Sequence, residues 1–168
     1  MKFYLKSGNF TTKFKKQGEI NIGDTFQTIV KKYADKETNQ FIGNTYAYYR
    51  VLETTKIGNN LFNTICYSNR QLVFDSRGII MSNGISTQNI TIDNNNNILD
   101  LKIIKNNMNI TNGTGEFEGI KATYHPRSIS PHFYEANIEY IDDLKLIHIL
   151  VGIIFLYIIY CVYNNKKL

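Results

Sequence analysis

Apolar and polar residues alternate with a period of two along much of the chain before residue 141. One segment, FIGNTYAYYRVLE, places Phe41, Thr45, Ala47, Tyr49 and Val51 on the same face of an extended chain. Because the side chains of a strand point to opposite faces in turn, this pattern predicts strands that each bury one face. The alternation recurs in NILDLKII, GIKATY and EANIEYI, where the residues that share a face are Leu99, Leu101, Ile103, Ile120, Ala122, Tyr124, Ala136, Ile138 and Tyr140.

Short runs rich in Gly, Asn and Ser separate these segments and predict tight turns. They are Gly58–Asn60, Ser68–Arg70, Ser76–Gly78, Ser82–Gly84 and Asp93–Asn97. Since no helical periodicity appears before residue 141, we expect an all-β domain of about seven to nine antiparallel strands, either a barrel or a sandwich. Pro126 and Pro131 lie between the last two predicted strands and predict a longer connection there, because proline cannot donate to a strand ladder.

The segment from Leu146 to Tyr163, LIHILVGIIFLYIIYCVY, is predominantly apolar and includes Gly152 near its middle. It has eighteen residues without a formal charge, and twelve of them are Leu, Ile, Val or Phe. As a helix it would be ~27 Å long, close to the thickness of the hydrocarbon core of a bilayer. The alternative is a buried element of a soluble core, but core helices usually carry a polar stripe and this segment has none. We therefore predict a transmembrane helix.

This helix sets the expected topology of the chain. The first residues, MKFYLKSGNF, contain no apolar stretch of signal length, so the helix would insert after translation and leave the domain in the cytosol. Lys166 and Lys167 after the helix favour the opposite orientation by a narrow margin. We expect a single-pass membrane protein with a C-terminal anchor. Its parts would be a β-domain (1–141), a linker (142–145), the transmembrane helix (146–163) and a polar tail (164–168).

Composition argues against several classes of function. The net charge is +5, and Arg occurs only at positions 50, 70, 77 and 127, whereas nucleic-acid-binding surfaces are usually denser in Arg. We therefore expect no nucleic-acid partner. His125 and His132 lie in one predicted loop without Cys or carboxylate ligands at zinc spacing, so we predict no metal site and no cofactor. Cys66 belongs to the domain and Cys161 to the membrane segment, so we expect no disulfide between them.

The segment Ile110–Tyr124, ITNGTGEFEGIKATY, contains the densest group of glycines in the chain. A phosphate-binding loop would need a helix directly after the glycines, whereas EFEGIKATY has the pattern of a strand. The residues Gly113, Thr114, Gly115 and Gly119 therefore predict a tight structural turn that requires positive φ at glycine.

The same segment resembles the I-T-G-G-T/S-G-x-F-x-G motif of the allene oxide cyclase and dirigent barrels. The resemblance extends over about residues 20–141. It implies an eight-stranded antiparallel barrel with an apolar cavity, often assembled as a trimer. The further segments that match in order and spacing are Gly23-Asp24, Ile42–Thr45, Phe74–Gly84 and Phe133–Ile141.

The residues that carry chemistry in that family are not matched here. Allene oxide cyclases use a Glu on the first strand, whereas the first Glu of this chain is Glu19. The cavity Cys of the family falls on Tyr49, and the Arg of dirigent proteins falls on Asn44, although Asp35 is near a dirigent Asp position. The resemblance therefore implies the fold of the family without its catalytic residues, and we predict none.

These observations favour a membrane-anchored barrel that binds an apolar small molecule or a protein partner without catalysis. The first alternative is a cyclase or isomerase of a lipid-derived substrate, and the second is a structural oligomer in a viral or organelle membrane. Tyr46, Tyr48, Tyr49 and Cys66 are the candidates to line a ligand cavity, with ordinary core packing as the alternative reading.

Overall fold

The computed structural model describes residues 1–35, 37, 40–141, 153, 154, 156 and 157. These residues form eight antiparallel strands that close into a barrel, each paired with the next and β8 paired with β1. The all-β prediction and the eight-stranded antiparallel barrel are therefore confirmed. The strands are β1 Lys2–Lys13, β2 Thr25–Tyr33, β3 Phe41–Gly58, β4 Leu61–Phe74, β5 Gly78–Ile92, β6 Ile98–Gly113, β7 Ala122–Ser130 and β8 Phe133–Tyr140.

The alternation of the sequence separates the inside of the barrel from its outside. In β3, Thr45, Ala47, Tyr49 and Val51 are buried in the interior, as the pattern predicts. Three assignments are wrong: Phe41 and Tyr140, which lie at strand ends, are exposed, and Leu99 is exposed while its neighbour Ile98 is buried. The register between β5 and β6 shifts here, with Thr91 opposite Asp100 and Ile92 opposite Ile98, so an irregular step turns Leu99 outward.

Two of the predicted turns are wrong, because the runs Ser68–Arg70 and Ser82–Gly84 lie inside the long strands β4 and β5. Ser68, Arg70 and Ser82 are buried, and they point into a barrel interior that is polar at this level. Polar residues in the middle of a strand carry the same sequence signal as a turn. The other three predicted turns lie where strands are joined.

The predicted long connection before β8 is also wrong. Pro126 lies within β7, and Pro131 and His132 form a tight turn to β8, with a positive φ of 58° at His132. The ladder between β6 and β7 consists of two pairs, Met108 with Tyr124 and Asn109 with Thr123. A proline is tolerated in β7 because so little of this ladder is formed.

Beyond these two pairs, hydrogen bonds from side chains connect β6 to β7 and β8. The Asn106 side chain donates to the carbonyl of Pro126 at 2.7 Å, and Ser128 Oγ accepts from the backbone N–H of Ile103 at 2.9 Å. The hydroxyl of Tyr134 on β8 donates to the carbonyl of Leu101 at 2.8 Å. These bonds replace backbone pairing along the first half of β6.

The glycine-rich segment closes one end of the barrel. Gly113 ends β6, a short 3-10 helix spans Gly115–Phe117, and both Gly115 and Gly119 have the predicted positive φ. The turn directs Phe117 into the barrel, where its ring lies 5.0 Å from that of Phe74. The segment is therefore a structural plug, and β8 ends at the same end of the barrel.

The predicted linker, transmembrane helix and polar tail, including Leu146, Gly152 and Tyr163, lie outside the described residues apart from four positions. Those four, Ile153, Ile154, Leu156 and Tyr157, are helical and exposed. In the part of the chain that the structure describes, no helix has both the length and the apolar character needed to cross a membrane.

Candidate functional site

A buried arginine lies in the middle of the barrel. Arg70 on β4 is 3% exposed, and its guanidinium donates to the hydroxyls of Tyr49 at 3.1 Å and Tyr124 at 3.3 Å. Tyr49 comes from β3, the neighbour of β4, and Tyr124 from β7, which is adjacent to neither, so the cluster connects separate parts of the barrel wall. Alternation places all three side chains inside, because Arg70 is in phase with the buried Cys66, Leu72 and Phe74 of its own strand.

The charge of Arg70 is not balanced by a carboxylate among the described residues. Burial raises the pKa of the Tyr49 and Tyr124 phenols, so both remain neutral at physiological pH. Burial likewise raises the pKa of Tyr134, and the negative charge of Asp100 raises it further. Arg70 is therefore a buried positive charge held by neutral hydrogen-bond acceptors.

A small cavity of about 20 Å³ lies beside Arg70. Within the described part of the chain, Arg70 Nε and Thr45 Oγ1 are buried and have no hydrogen-bond partner. A space of this size holds one water-sized group. The lining combines polar and apolar side chains, namely Leu5, Ser7, Phe10, Thr28, Val30, Thr45, Ala47, Tyr49, Arg70, Ile103 and Tyr134.

A second polar group lies on the β4–β5 wall of the interior. The hydroxyls of Ser68 and Ser86 are 2.7 Å apart, and the Gln88 side-chain amide donates to Ser86 at 2.6 Å. Among the residues the structure describes, Ser82 Oγ and Gln88 Oε1 have no partner. The interior therefore has buried polar atoms with unused hydrogen-bonding capacity at several points, whereas a typical domain core satisfies such atoms.

A larger groove of about 570 Å³ lies on the outer face of β1 to β4. Its floor follows an irregularity in β1, where the register with β2 shifts between Ser7 and Phe10. Thr28 and Ala47 line both this groove and the interior cavity, so a thin wall separates the two spaces. None of the described lining residues is charged; they are Gly8, Asn9, Thr11, Gln27, Thr28, Ile29, Tyr46, Ala47, Tyr48, Asn69 and Gln71.

The four predicted cavity residues do not line one space. Tyr46 and Tyr48 lie on the outer face and line the groove, whereas Tyr49 and Cys66 are buried in the interior. The period of two explains the division, since Tyr49 is out of phase with the other two tyrosines. The Cys66 thiol is 3.6 Å from the hydroxyl of Thr64, and burial raises its pKa to about 11, so it is an unreactive packed thiol.

Sequence reasoning missed Arg70, the centre of the interior cluster. Its signal was present: in LFNTICYSNRQLVF, the alternate residues Phe62, Thr64, Cys66 and Ser68 lead in phase to Arg70. Because the run Ser-Asn-Arg also has the composition of a turn, it was predicted as a turn and not as part of the alternating strand. The groove residue Ile29 was also missed, because a single exposed isoleucine carries no signal in a sequence.

The two domain histidines occupy unrelated surface positions. His125 contacts the Thr123 hydroxyl at 2.7 Å, and His132 contacts Ser7 Oγ at 3.2 Å in the β7–β8 turn. In the described residues, no three His, Cys, Asp or Glu side chains are grouped as metal ligands.

Lys32 is a second buried cation, at the end of the barrel that Phe117 closes. The residue is fully buried, and its Nζ lies 3.4 Å from the centroid of the Phe74 ring and 6.0 Å from that of Phe3. Nζ has no hydrogen-bond partner in the part of the chain that is described. Burial lowers the pKa of Lys32 to about 7, and the charge of Asp75 opposes that shift.

The closed ring of strands defines the protein as an eight-stranded antiparallel β-barrel. A solved structure described as pyocyanin demethylase is similar in fold, with a TM-score of 0.53 and 16% sequence identity over 82% of this chain and 98% of that chain. At this identity the similarity concerns the fold alone. No protein-family model matches the chain, and no curated protein matches it.

Proposed function

We propose that the protein is a non-catalytic binding protein that holds a small, largely apolar molecule in its outer groove and is anchored to a membrane by its C-terminal segment. The observation that carries the proposal is the uncharged groove of about 570 Å³ on β1 to β4. Binding sites for small molecules typically have volumes of ~300–1,000 Å³ and combine apolar walls with a few polar groups.

The lining of the groove suits an apolar body with few polar atoms. Ile29, Tyr46 and Tyr48 are exposed and supply apolar and aromatic surface. Gln27 and Gln71 supply amide donors and acceptors at the edges. Because charged side chains are absent from the described lining, the groove favours the neutral part of a ligand over an ionic one. A concave site of this volume also fits a small molecule better than the flat surface of a protein partner.

The proposed anchor would place the groove near a source of apolar molecules. The last strand ends at Tyr140, and the predicted membrane segment begins at Leu146. Five residues after Ile141 extend over at most ~18 Å, so the barrel would stay close to the bilayer surface. This arrangement supports a ligand drawn from the membrane.

The anchor is tested by alkaline carbonate extraction of membranes from cells that express the full chain. We expect the protein to remain in the membrane pellet, because an apolar segment of this length is stable in the hydrocarbon core. A chain truncated after residue 141 is the matched control and should appear in the supernatant. Release of the full chain into the supernatant would overturn the anchor.

The groove is tested with the full chain in nanodiscs and the neutral dye N-phenyl-1-naphthylamine, with protein-free nanodiscs as the blank. Tyr46→Ala and Tyr48→Ala should each weaken dye binding about tenfold, since losing one aromatic contact in a binding site commonly costs about 1.4 kcal/mol. Tyr67→Ala is the control, because Tyr67 is also exposed but lies outside the groove lining.

Two results would contradict the groove proposal. Equal dye binding by all three variants and the unchanged protein would show that the dye binds elsewhere. Dissociation of an oligomer by Tyr46→Ala or Tyr48→Ala, detected by light scattering, would make the groove a contact between copies, as the structural-oligomer alternative and the trimers of the resembled family suggest.

The remaining alternative is a cyclase or isomerase of a lipid-derived substrate. Its candidate general base is the buried amine of Lys32, whose pKa burial lowers to about 7, but Lys32 lines neither the groove nor the interior cavity. Incubating the full chain with an unsaturated fatty-acid epoxide distinguishes the two functions. A reproducible cyclic product that Lys32→Met abolishes would favour the enzyme.

A further inference from the structure

Two nitrogens of the Arg70 guanidinium have hydrogen-bond acceptors, but no anion among the described residues balances its charge. The two terminal nitrogens donate to Tyr49 and Tyr124, but both phenols are neutral acceptors. A buried charge without an opposite charge is strongly unfavourable in a protein interior. In the described residues, the interior offers Arg70 no anion, so the cluster is electrostatically incomplete.

The adjoining cavity supplies the geometry that an anion needs. Arg70 and Thr45 both line it, and Arg70 Nε and Thr45 Oγ1 are buried donors without partners in the described part of the chain. Three of the other hydroxyl groups there have partners: Thr28 donates to the carbonyl of Asn9 at 3.2 Å, Tyr134 donates to that of Leu101 at 2.8 Å, and Ser7 contacts His132 Nδ1 at 3.2 Å. The hydroxyl of Tyr49 accepts from Arg70. Two residues with unused donors, one of them charged, therefore line the same small space.

The size of the cavity restricts the class of anion. About 20 Å³ accommodates one water-sized group, which is close to a chloride ion or to the oxygen end of a carboxylate. Sulfate and phosphate are larger and carry four oxygens, for which the cavity has neither room nor donors. We infer that the interior of the barrel binds one small monovalent anion, chloride-like or carboxylate, against Arg70 and Thr45.

Two kinds of ligand carry an anion of this size. One is a free ion such as chloride or formate. The other, which rests on the proposed function, is the carboxylate of a ligand whose apolar body lies in the outer groove. Thr28 and Ala47 line both spaces but are paired with each other in the β2–β3 ladder, so such a ligand would have to enter beside the irregularity of β1 between Ser7 and Phe10. The apolar cavity residues Leu5 and Val30 would contact the first carbons of such a chain.

The site is tested by ³⁵Cl NMR line broadening with the full chain in nanodiscs, using protein-free nanodiscs as the blank. We expect saturable broadening that formate displaces and that sulfate at matched ionic strength does not. Thr45→Val should weaken chloride binding about tenfold, because it removes a hydrogen bond to a charged group. Arg70→Met should abolish the broadening. Ser82→Ala is the control, since Ser82 Oγ is also a buried atom without a partner in the described residues but lies outside the cavity lining.

Competition by octanoate, with octanamide as its neutral match, separates the two sources. Displacement of chloride by octanoate but not by octanamide supports a carboxylate ligand, and displacement by formate alone supports a free ion. Broadening that is absent, or equal in the unchanged protein and Thr45→Val, would overturn the anion site even if Arg70→Met does not fold. Neutral-dye binding reports on the groove separately, so either proposal can fail while the other stands.

Discussion

Replacing Tyr49 and Tyr124 together by Phe is expected to lower the free energy of unfolding by about 3–6 kcal/mol. Each hydroxyl accepts a hydrogen bond from Arg70, and a bond to a charged group is worth about 1.5–3 kcal/mol. The substitution keeps both aromatic rings, including the stacking of Tyr49 on Phe26 at 4.6 Å, so the packing of the interior is preserved. What is lost is the polar environment of a charge that cannot reach water. Urea denaturation at pH 7 measures the difference.

A variant that removes the charge of Arg70 is the control for this experiment. Adding Arg70→Met to the double variant should recover a large part of the lost stability, because it removes the isolated charge and leaves an apolar cluster of similar volume. With the single variant Arg70→Met as the fourth corner of the mutant cycle, the coupling energy between Arg70 and the two hydroxyls should be at least about 2 kcal/mol. Tyr67→Phe, which alters an exposed hydroxyl, should change stability by less than about 0.5 kcal/mol. A triple variant no more stable than the double variant would contradict the electrostatic explanation.

The strands could be predicted from the sequence because their cause is local. A strand with one buried face must alternate, and segments such as EANIEYI do so, with Ala136 and Ile138 buried in β8. Alternation alone does not show whether the strands close into a ring. The barrel was predicted because the glycine-rich segment resembles a motif of known barrel proteins. The turn of that segment places Phe117 in the end of the barrel.

The interior site could not be predicted because its cause is not local. Arg70 is stable in the interior only because Tyr49 and Tyr124, 21 and 54 residues away, bring their hydroxyls to it. In the sequence, Ser-Asn-Arg has the composition of a turn, and that signal outweighed the phase of the strand. The groove depends in a similar way on the register shift in β1 near Ser7, and alternation alone does not locate such a shift.

The two buried cations of the barrel have different surroundings, and this predicts different behaviour with pH. Arg70 stays charged at all relevant pH values and is held by two phenols. Lys32 faces the ring of Phe74, has no hydrogen-bond partner within the described residues, and feels only the more distant charge of Asp75. Lys32 can therefore avoid the free-energy cost of a buried charge by losing a proton, whereas Arg70 cannot.

Lys32→Met is expected to raise the free energy of unfolding at pH 6–7 by about 3–5 kcal/mol. The pKa of Lys32 is lowered by burial from 10.5 to about 7 in the folded protein, and each unit of pKa corresponds to about 1.4 kcal/mol. Because the unfolded chain binds the proton more tightly, the penalty is fully present below pH 7 and disappears as the pH rises toward 10.5. The stability of the unchanged protein should therefore increase between pH 7 and 9.5, and Lys32→Met should remove that increase.

Urea denaturation at pH 6, 8 and 9.5 provides the test, with Lys31→Met as the matched control. Lys31 is the neighbouring residue of β2, but it points outward and is exposed, so its replacement should leave both the stability and its pH dependence nearly unchanged. The raised pKa of Cys66 already acts weakly with the opposite sign near pH 9.5, and those of Tyr49 and Tyr124 do so at higher pH. In each case the folded state retains a proton that the unfolded chain has lost, so the range stops at pH 9.5. If the unchanged protein and Lys32→Met gained equal stability over this range, Lys32 would have to be charged inside the barrel, and the ring of Phe74 with the charge of Asp75 would have to compensate its burial.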